Sequence, residues 1–175
     1  FVKQIITVIA GFISFGLNAQ WQQIVLPLEN FEDLYGISFI SNAQFFICSN
    51  TQISKTSNGG QSWQVKSLND GFPFDLFYAN TVKDLHFFNQ NVLVCGESGH
   101  IIRSTNADVS FSSVNYTAGL SLTDVKFLTA TKAIAIGDVG VLRSNNAGAT
   151  WAPDPAFAGT GASGIALAGG TTVYM

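Results

Sequence analysis

Two aspartates, Asp84 and Asp124, come nearest to a reaction centre in this chain of 175 residues. They occupy the same position in the similar segments VKDLHFF and LTDVKF, near the start of a predicted strand. A pair of carboxylates can hydrolyse a glycosidic bond, one acting as acid and the other as base or nucleophile. A residue that recurs at one position of a repeat is more often a feature of the repeat. We therefore keep glycoside hydrolysis as the alternative prediction.

Other reactive groups are sparse. His86 lies on a predicted strand and His100 on a predicted turn, with no second histidine at ligand spacing, so we predict no metal site. No nucleophile elbow, zinc-protease, P-loop or dinucleotide-binding motif follows the first 20 residues, and we predict no cofactor. With a net charge of -3 and 11% charged residues, the chain has no basic patch for nucleic acid.

The elements that position these residues form a repeat. Three segments agree position after position: they begin at Leu34, Val82 and Leu122. Each has two apolar runs, a turn, a third strand ending in Lys or Arg before Ser or Thr, and an Asn-containing turn that leads to an aromatic residue. The aromatic residues recur every ~40 to 50 residues, which is the length of one propeller blade.

This pattern predicts an all-β fold, a β-propeller of four-stranded antiparallel blades. We expect three complete blades and parts of two others in residues 20–175, with the chain ending inside a blade. In each first strand, alternating apolar residues, such as Ile37 and Phe39, predict a half-buried strand. A β-sandwich of many short strands is the alternative.

The first 19 residues have the features of a signal peptide. Lys3 precedes an apolar run from Ile5 to Leu17, and the small residue Ala19 suits a cleavage site. The alternative is a membrane anchor, but the run is shorter than the roughly 20 residues that span a bilayer. We expect a secreted, periplasmic or cell-surface protein without a stable membrane span after cleavage.

Two cysteines, Cys48 and Cys95, lie at the ends of second strands in adjacent units. The ungapped alignment pairs Cys48 with Gly96, and Cys95 with Ile47. Facing sheets lie about 10 Å apart, too far for an unstrained disulfide between such positions. We predict two buried free thiols.

The Asn-containing turns carry a resemblance. The stretches KTSNGGQSW, RSTNADVSF and RSNNAGATW are similar to the Asp-box, or BNR repeat, and the whole register resembles the propellers of photosystem II stability and assembly factors and of sortilin-like proteins. Asn replaces the Asp of the box, and the second copy lacks the glycines. The box residues are Asn58, Gly60, Ser62, Trp63, Asn106, Ser110, Phe111, Asn146, Gly148, Thr150 and Trp151.

The resemblance implies that these turns are structural and lie between third and fourth strands, away from the binding face. Sialidases share the box but bind the substrate carboxylate with three arginines. This chain has two, Arg103 and Arg143, and both precede a box turn. A sialidase-like or xyloglucanase-like hydrolase therefore stays the alternative to a non-catalytic propeller that binds or helps to assemble other proteins.

The loops that lead into first strands and the turns between second and third strands form the expected binding face. The loop Ser67 to Thr81 has more aromatic residues than a solvated connection needs. These rings either cover the core or contact a partner. The predicted binding residues are Phe72, Phe74, Phe77, Tyr78, Glu97 and Asp138. We expect a protein partner or a cell-surface component, and a glycan is possible.

Overall fold

The computed structural model describes residues 5–8, 22–27, 33–50, 52–67, 82–107, 110–115, 121–138, 140–159, 161–168 and 172–174. Nearly all of the secondary structure in these residues is β-strand, and three antiparallel sheets of four strands follow one another along the chain. The prediction of an all-β propeller with three complete blades is confirmed.

Each blade is a meander in which every strand pairs with the next strand of the chain. The first blade consists of β3 (Leu34–Phe39), β4 (Phe45–Ser49), β5 (Gln52–Thr56) and β6 (Gln64–Ser67). The second consists of β7 (Val82–Phe88), β8 (Asn91–Gly96), β9 (His100–Ser104) and β10 (Ser112–Asn115). The third consists of β11 (Leu122–Phe127), β12 (Ala133–Gly137), β13 (Gly140–Ser144) and β14 (Ala152–Pro153). The first strand of the second blade, β7, contacts both β3 and β11, so first strands line the inside of the arc.

Two hairpins flank the three blades. Strand β1 (Ile5–Val8) pairs with β2 (Gln22–Val25), and β15 (Ala166–Ala168) pairs with β16 (Thr172–Tyr174). The predicted signal peptide, residues 1–19, stays a prediction. Within the described residues, no helix combines the length and apolar character that a membrane crossing requires.

Four apolar clusters hold the sheets against one another. Between the first and second blades, Phe46 and Ile53 pack on Leu85 and Val94. Leu93 and Ile101 of the second blade pack on residues of the third, and similar clusters join β2 to the first blade and Ile165 to the third. Second strands are buried along almost their whole length, because they are covered on both faces.

The strand register corrects the ungapped alignment of the second blade. Gly36 pairs with Cys48 and Asp84 pairs with Cys95, so the two cysteines occupy equivalent positions. The second blade has a shorter first turn, Asn89–Gln90, and a compensating 3₁₀ turn, Glu97–Gly99, before its third strand. Both cysteines are buried and neither forms a disulfide. Burial raises the pKa of both thiols, so they stay protonated.

The first strand of the first blade differs from the expected half-buried pattern. Ile37 and Phe39 are 37% and 47% exposed, whereas Ser38 and Gly36 are buried. The residue equivalent to Ile37 in the second blade, Leu85, is fully buried against the first blade. Side chains therefore alternate between the two faces of this strand as predicted. Its apolar face is buried only in blades that have a preceding sheet to cover it.

Candidate functional site

The side chains with the most unusual environment lie on the first strands of the second and third blades. Lys126 Nζ is 2.6 Å from Asp84 Oδ2 and 2.7 Å from Asp124 Oδ1. The three side chains are between 12% and 19% exposed. The sequence predicted both aspartates as candidate residues, but no pattern in it indicated that one lysine would contact both of them.

A register shift near the start of each first strand orients this cluster. The shift lies between Leu34 and Gly36 in the first blade and recurs at the equivalent positions of the other two blades. A bulge of this kind redirects the side chains that follow it. Asp84 and Asp124 are those side chains, and they contact the next sheet.

Each aspartate also accepts a hydrogen bond from the backbone of the following sheet. The Val125 N–H donates to Asp84 Oδ2 (3.2 Å), and the Ile165 N–H donates to Asp124 Oδ2 (2.7 Å). First strands are paired on one side only, so the Val125 N–H needs another acceptor. The two carboxylates therefore join neighbouring sheets, which is a structural role.

A similar interaction occurs two residues further along the first strands of the first and second blades. Ser38 Oγ accepts from the Phe87 N–H (2.9 Å), and His86 Nδ1 accepts from the Phe127 N–H (3.0 Å). Ser38, His86 and Lys126 occupy equivalent positions, as the strand registers show. The sequence analysis missed this contact, although the polar residue at one repeat position in all three units was a signal for it.

The cluster contains strongly shifted pKa values. Burial, followed by the hydrogen bond with Asp124, raises the pKa of Asp84 to about 7. Hydrogen bonds with Asp84 and Lys126 outweigh burial and lower the pKa of Asp124. Burial and the charge of Lys126 lower the pKa of His86 to about 4.

Two carboxyl groups with separated pKa values are the pattern of an acid and a base. Structural ion-pair networks shift pKa values as well. Here both oxygens that face Lys126 lie within 2.7 Å of one nitrogen, and each carboxylate also holds a backbone N–H. This geometry leaves little space for a sugar between the two groups.

The predicted loop aromatics, Phe72, Phe74, Phe77 and Tyr78, lie outside the described residues. The other two predicted binding residues, Glu97 and Asp138, lie at turns between second and third strands, where they make local contacts. Glu97 Oε1 is 3.0 Å from Lys83 Nζ, which also lies over the Tyr35 ring. Asp138 Oδ2 accepts from the Ser121 N–H (3.3 Å). Neither of these two contacts involves Asp84 or Asp124.

The box turns have one common hydrogen-bond pattern. In the third blade, Asn146 Oδ1 accepts from the Thr150 N–H (2.9 Å) and from Ser144 Oγ (3.0 Å), and its amide donates to Thr150 Oγ1 (2.8 Å). Asn58 with Ser62, and Asn106 with Ser110, make the same bonds. The turns lie at the opposite end of the sheets from Glu97 and Asp138, because each bonds to the turn between first and second strands.

The aromatic residues after these turns lie between sheets. Phe111 packs against the cluster between the first and second blades, and Trp151 against the next cluster. Trp63 packs edge-on against Phe45 at 5.3 Å and donates to the Val25 carbonyl at 3.0 Å.

Among the residues that the structure describes, the other chemistry-bearing side chains form no reaction centre. Arg103 Nε donates to the Ala147 carbonyl at 2.7 Å, and Arg143 pairs with Asp154, so both are engaged near the box turns. Hydrogen bonds to Arg143 and to the Ala156 N–H lower the pKa of Asp154. In the part of the chain that the structure describes, no group of three His, Cys, Asp or Glu residues could hold a metal ion.

Comparisons with known proteins agree with the fold. The model of a family described as photosynthesis system II assembly factor YCF48 matches residues 14–162. No curated protein sequence matches. A solved structure of YCF48 bound to a D1 peptide is 21% identical with a TM-score of 0.59, covering 69% of this chain and 40% of that chain.

Two further structures are similar. YCF48 from Cyanidioschyzon merolae is 20% identical with a TM-score of 0.60, covering 75% of this chain and 39% of that chain. An ancestral GH74 enzyme is 15% identical with a TM-score of 0.53, covering 70% of this chain and 19% of that chain. The matched part of this chain thus corresponds to about two fifths of the length of the YCF48 structures.

Proposed function

Because the chain belongs to the family of the photosynthesis system II assembly factor YCF48, we propose that it is a non-catalytic propeller that binds a segment of a partner protein. The observation that supports this proposal is the similar structure of YCF48, which is bound to a D1 peptide. At 21% identity this likeness concerns the fold alone, and the proposal therefore names no particular partner protein.

The arrangement of the inner strands favours binding over catalysis. Asp84 and Asp124 are the carboxylates with the best claim to a reaction, and both are engaged with Lys126 and with a backbone N–H of the next sheet. A glycoside hydrolase would need both carboxyl groups free to contact the substrate, one on each side of the glycosidic bond. The similarity to a GH74 enzyme keeps hydrolysis as the second candidate, and a glycan screen tests it.

We place the partner on the face that contains Glu97 and Asp138, with the loop Ser67 to Thr81 as the main contact. Exposed aromatic residues contribute to interfaces more than to folding. Replacing Phe72, Phe74 and Tyr78 together by Ser should abolish partner capture from a native extract and leave the melting temperature nearly unchanged.

The matched control for this triple variant is Ile40→Ser. Ile40 is an exposed apolar residue in the turn after β3, at the opposite end of the first blade. Its replacement should leave capture unchanged. Unfolding of the triple variant would show that the rings belong to the core, and unchanged capture would remove the loop from the site.

Export is part of the proposal, and it depends on the pattern of the first 19 residues. Expression of the full chain in a bacterium should give a protein in the periplasm or medium that begins at Gln20. Mass spectrometry of the purified protein measures this. A cytoplasmic protein that retains Lys3 would contradict export without affecting the binding proposal.

A further inference from the structure

We propose that the Asn58 side chain is a site of spontaneous deamidation, which converts the amide of the first box turn into a carboxyl group. One product is the aspartate that stands in the Asp-box, which this turn resembles. The inference goes beyond the proposed function and does not depend on it, because it concerns a turn to which the binding proposal gives no role.

The residue that follows the box asparagine differs among the three turns. Asn58 precedes Gly59, and this is the one Asn-Gly pair in the sequence, whereas Asn106 and Asn146 each precede an alanine. Deamidation begins when the backbone nitrogen of the following residue attacks the asparagine side-chain carbon, Cγ. Glycine has no Cβ to hinder this approach, and it adopts more backbone conformations than alanine. The first turn is therefore the most reactive of the three.

The hydrogen bonds to the amide oxygen are the same in all three turns, so they do not favour one asparagine over another. Asn58 Oδ1 accepts from the Ser62 N–H at 2.9 Å and from the Thr56 hydroxyl at 3.0 Å. Two donors on one amide oxygen stabilise the negative charge that develops there when a nucleophile adds to Cγ. The equivalent donors in the other turns are the Ser104 hydroxyl with the Ser110 N–H, and the Ser144 hydroxyl with the Thr150 N–H.

The attacking nitrogen is also held alike in the three turns. The Gly59 N–H donates to the Ala43 carbonyl at 2.8 Å, and the equivalent N–H groups of Ala107 and Ala147 donate at 2.8 and 2.7 Å. These bonds must open before the nitrogen can lose its proton, so folding slows the reaction in every turn to a similar degree. Asn58 itself is exposed, so water and hydroxide reach the first turn.

The reaction consumes one water molecule and releases one ammonia. Hydroxide removes the Gly59 amide proton, the nitrogen bonds to Asn58 Cγ, and the Cγ–Nδ2 bond breaks as Nδ2 leaves with a proton from water. Water then opens the cyclic imide that remains. Cleavage between Gly59 N and Cγ gives aspartate, and cleavage between Gly59 N and the main-chain carbonyl carbon gives iso-aspartate. Either product adds one negative charge at neutral pH, because a carboxyl group ionises well below pH 7.

The two products fit the turn differently. Aspartate leaves the main chain intact, and its oxygens can accept from the Ser62 N–H and from the Ser62 hydroxyl. Iso-aspartate takes the main chain through Cγ, which lengthens it by one carbon atom directly before Gly59. This displaces the N–H groups of Gly59 and Gly60, which bond to the Ala43 carbonyl and to Thr56 Oγ1 at 2.8 Å each. Aspartate therefore preserves the turn, and iso-aspartate disrupts it.

The test incubates the purified full chain in mildly alkaline buffer and follows amide loss at the three box asparagines by peptide mapping with mass spectrometry. A sample digested without incubation corrects for deamidation during handling. We expect Asn58 to lose its amide at least ~10-fold faster than Asn106 and Asn146, a ratio that corresponds to about 1.4 kcal/mol in the reaction barrier. Equal rates at the three positions would overturn the inference.

Two substitutions exchange the residue that decides the rate. Gly59→Ala gives the first turn the alanine of the other turns, and Ala147→Gly gives the third turn a glycine. The backbone φ is positive at both positions, 69° at Gly59 and 55° at Ala147, so alanine and glycine are both compatible with this turn. We expect Asn58 to react ~10-fold more slowly in the first variant and Asn146 ~10-fold faster in the second. A wild-type rate in either variant would contradict the proposed site.

The matched control is Ala149→Gly, which places a glycine in the third turn but not directly after Asn146. It should change the Asn146 rate less than about twofold. Acceleration equal to that of Ala147→Gly would show that loosening of the turn decides the rate, and the inference would be wrong. If Gly59→Ala does not fold, Ala147→Gly still decides, because glycine relieves the strain of a non-glycine residue at positive φ.

Discussion

The ammonium nitrogen of Lys126 lies 2.6 Å from a carboxylate oxygen of Asp84, so a side chain of the third blade is bonded directly to a side chain of the second. Asp124 is on the other side of the same nitrogen, at 2.7 Å. Removing the lysine would leave two poorly solvated carboxyl groups side by side. Breaking a buried ion pair in this way is much more costly than losing an exposed one.

We expect Lys126→Met to lower the free energy of unfolding by about 3 to 5 kcal/mol at pH 8. Asp84 has a raised pKa of about 7, so it binds a proton more readily when folded, and its contribution to stability is lost as pH rises through that value. The cost of the substitution should therefore be smaller at pH 5.5. Urea unfolding at the two pH values measures it, with Lys132→Met as the exposed control. An equal cost at both pH values would contradict the ionic account.

His86→Asn should make the protein less sensitive to mild acid. The pKa of His86 is lowered to about 4 when folded, so the unfolded chain binds the proton first and wild-type stability falls as pH decreases from 7 to 5. We expect about 1 to 2 kcal/mol of this loss to disappear in the variant. Asparagine Oδ1 occupies the position of His86 Nδ1 and can still accept from the Phe127 N–H, so the contact is retained. Parallel slopes of stability against pH would contradict the prediction.

Gly59 and Gly60 are adjacent glycines in one box turn that should respond differently to alanine. Both have positive φ, 69° and 88°, and so both substitutions carry backbone strain of about 1 kcal/mol. A Cβ at Gly59 would meet no atom within 4 Å, whereas at Gly60 it would lie 2.3 Å from Ile24 Cγ2. Gly60→Ala should therefore cost roughly 1 to 3 kcal/mol more than Gly59→Ala. Equal melting temperatures for the two variants would count against the packing of β2 on this turn.

Much of this fold could be predicted from the sequence, because the residues that pack between sheets recur at the same positions in all three repeats. Apolar second strands and the aromatic residue after each box turn recur in every unit, and they fill equivalent places between sheets. The strand register of the second blade could not be predicted from the repeat alone. The span from Asp84 to Cys95 is one residue shorter than the equivalent span from Gly36 to Cys48, and the span from Cys95 to Ile101 is one residue longer than that from Cys48 to Ile53. An ungapped alignment therefore fits the ends of the repeat and misplaces Cys95.

The candidate site was predictable only in part. The shared repeat position of Asp84 and Asp124 indicated these two residues. The backbone N–H groups that donate to them, from Val125 and Ile165, lie more than 40 residues further along the chain. No local pattern identifies such partners.

Asn58→Asp should be neutral or slightly stabilising in urea. The Asn58 side chain accepts from the Ser62 N–H at 2.9 Å and donates to Ser62 Oγ at 2.8 Å. A carboxylate keeps the first bond and accepts from the hydroxyl in the second, because the hydroxyl can rotate. Asn58→Ala loses both and should cost about 1 to 2 kcal/mol. Strong destabilisation by Asp would show that the amide N–H is essential to this turn.

The final prediction separates binding from hydrolysis. We expect the full-length protein to release no reducing sugar from β-glucans and no sialic acid from sialosides. Asp84→Asn and Asp124→Asn should each lower the melting temperature, because each carboxylate contacts Lys126 and accepts from a backbone N–H of the next sheet. Partner capture should persist in both variants below their melting temperatures, since the side chains of Asp84 and Asp124 are only 12% and 14% exposed. If the wild-type protein hydrolyses a glycan and either substitution abolishes that activity, the two aspartates are the reaction centre. The site then lies on the inner strands, and hydrolysis replaces binding as the function.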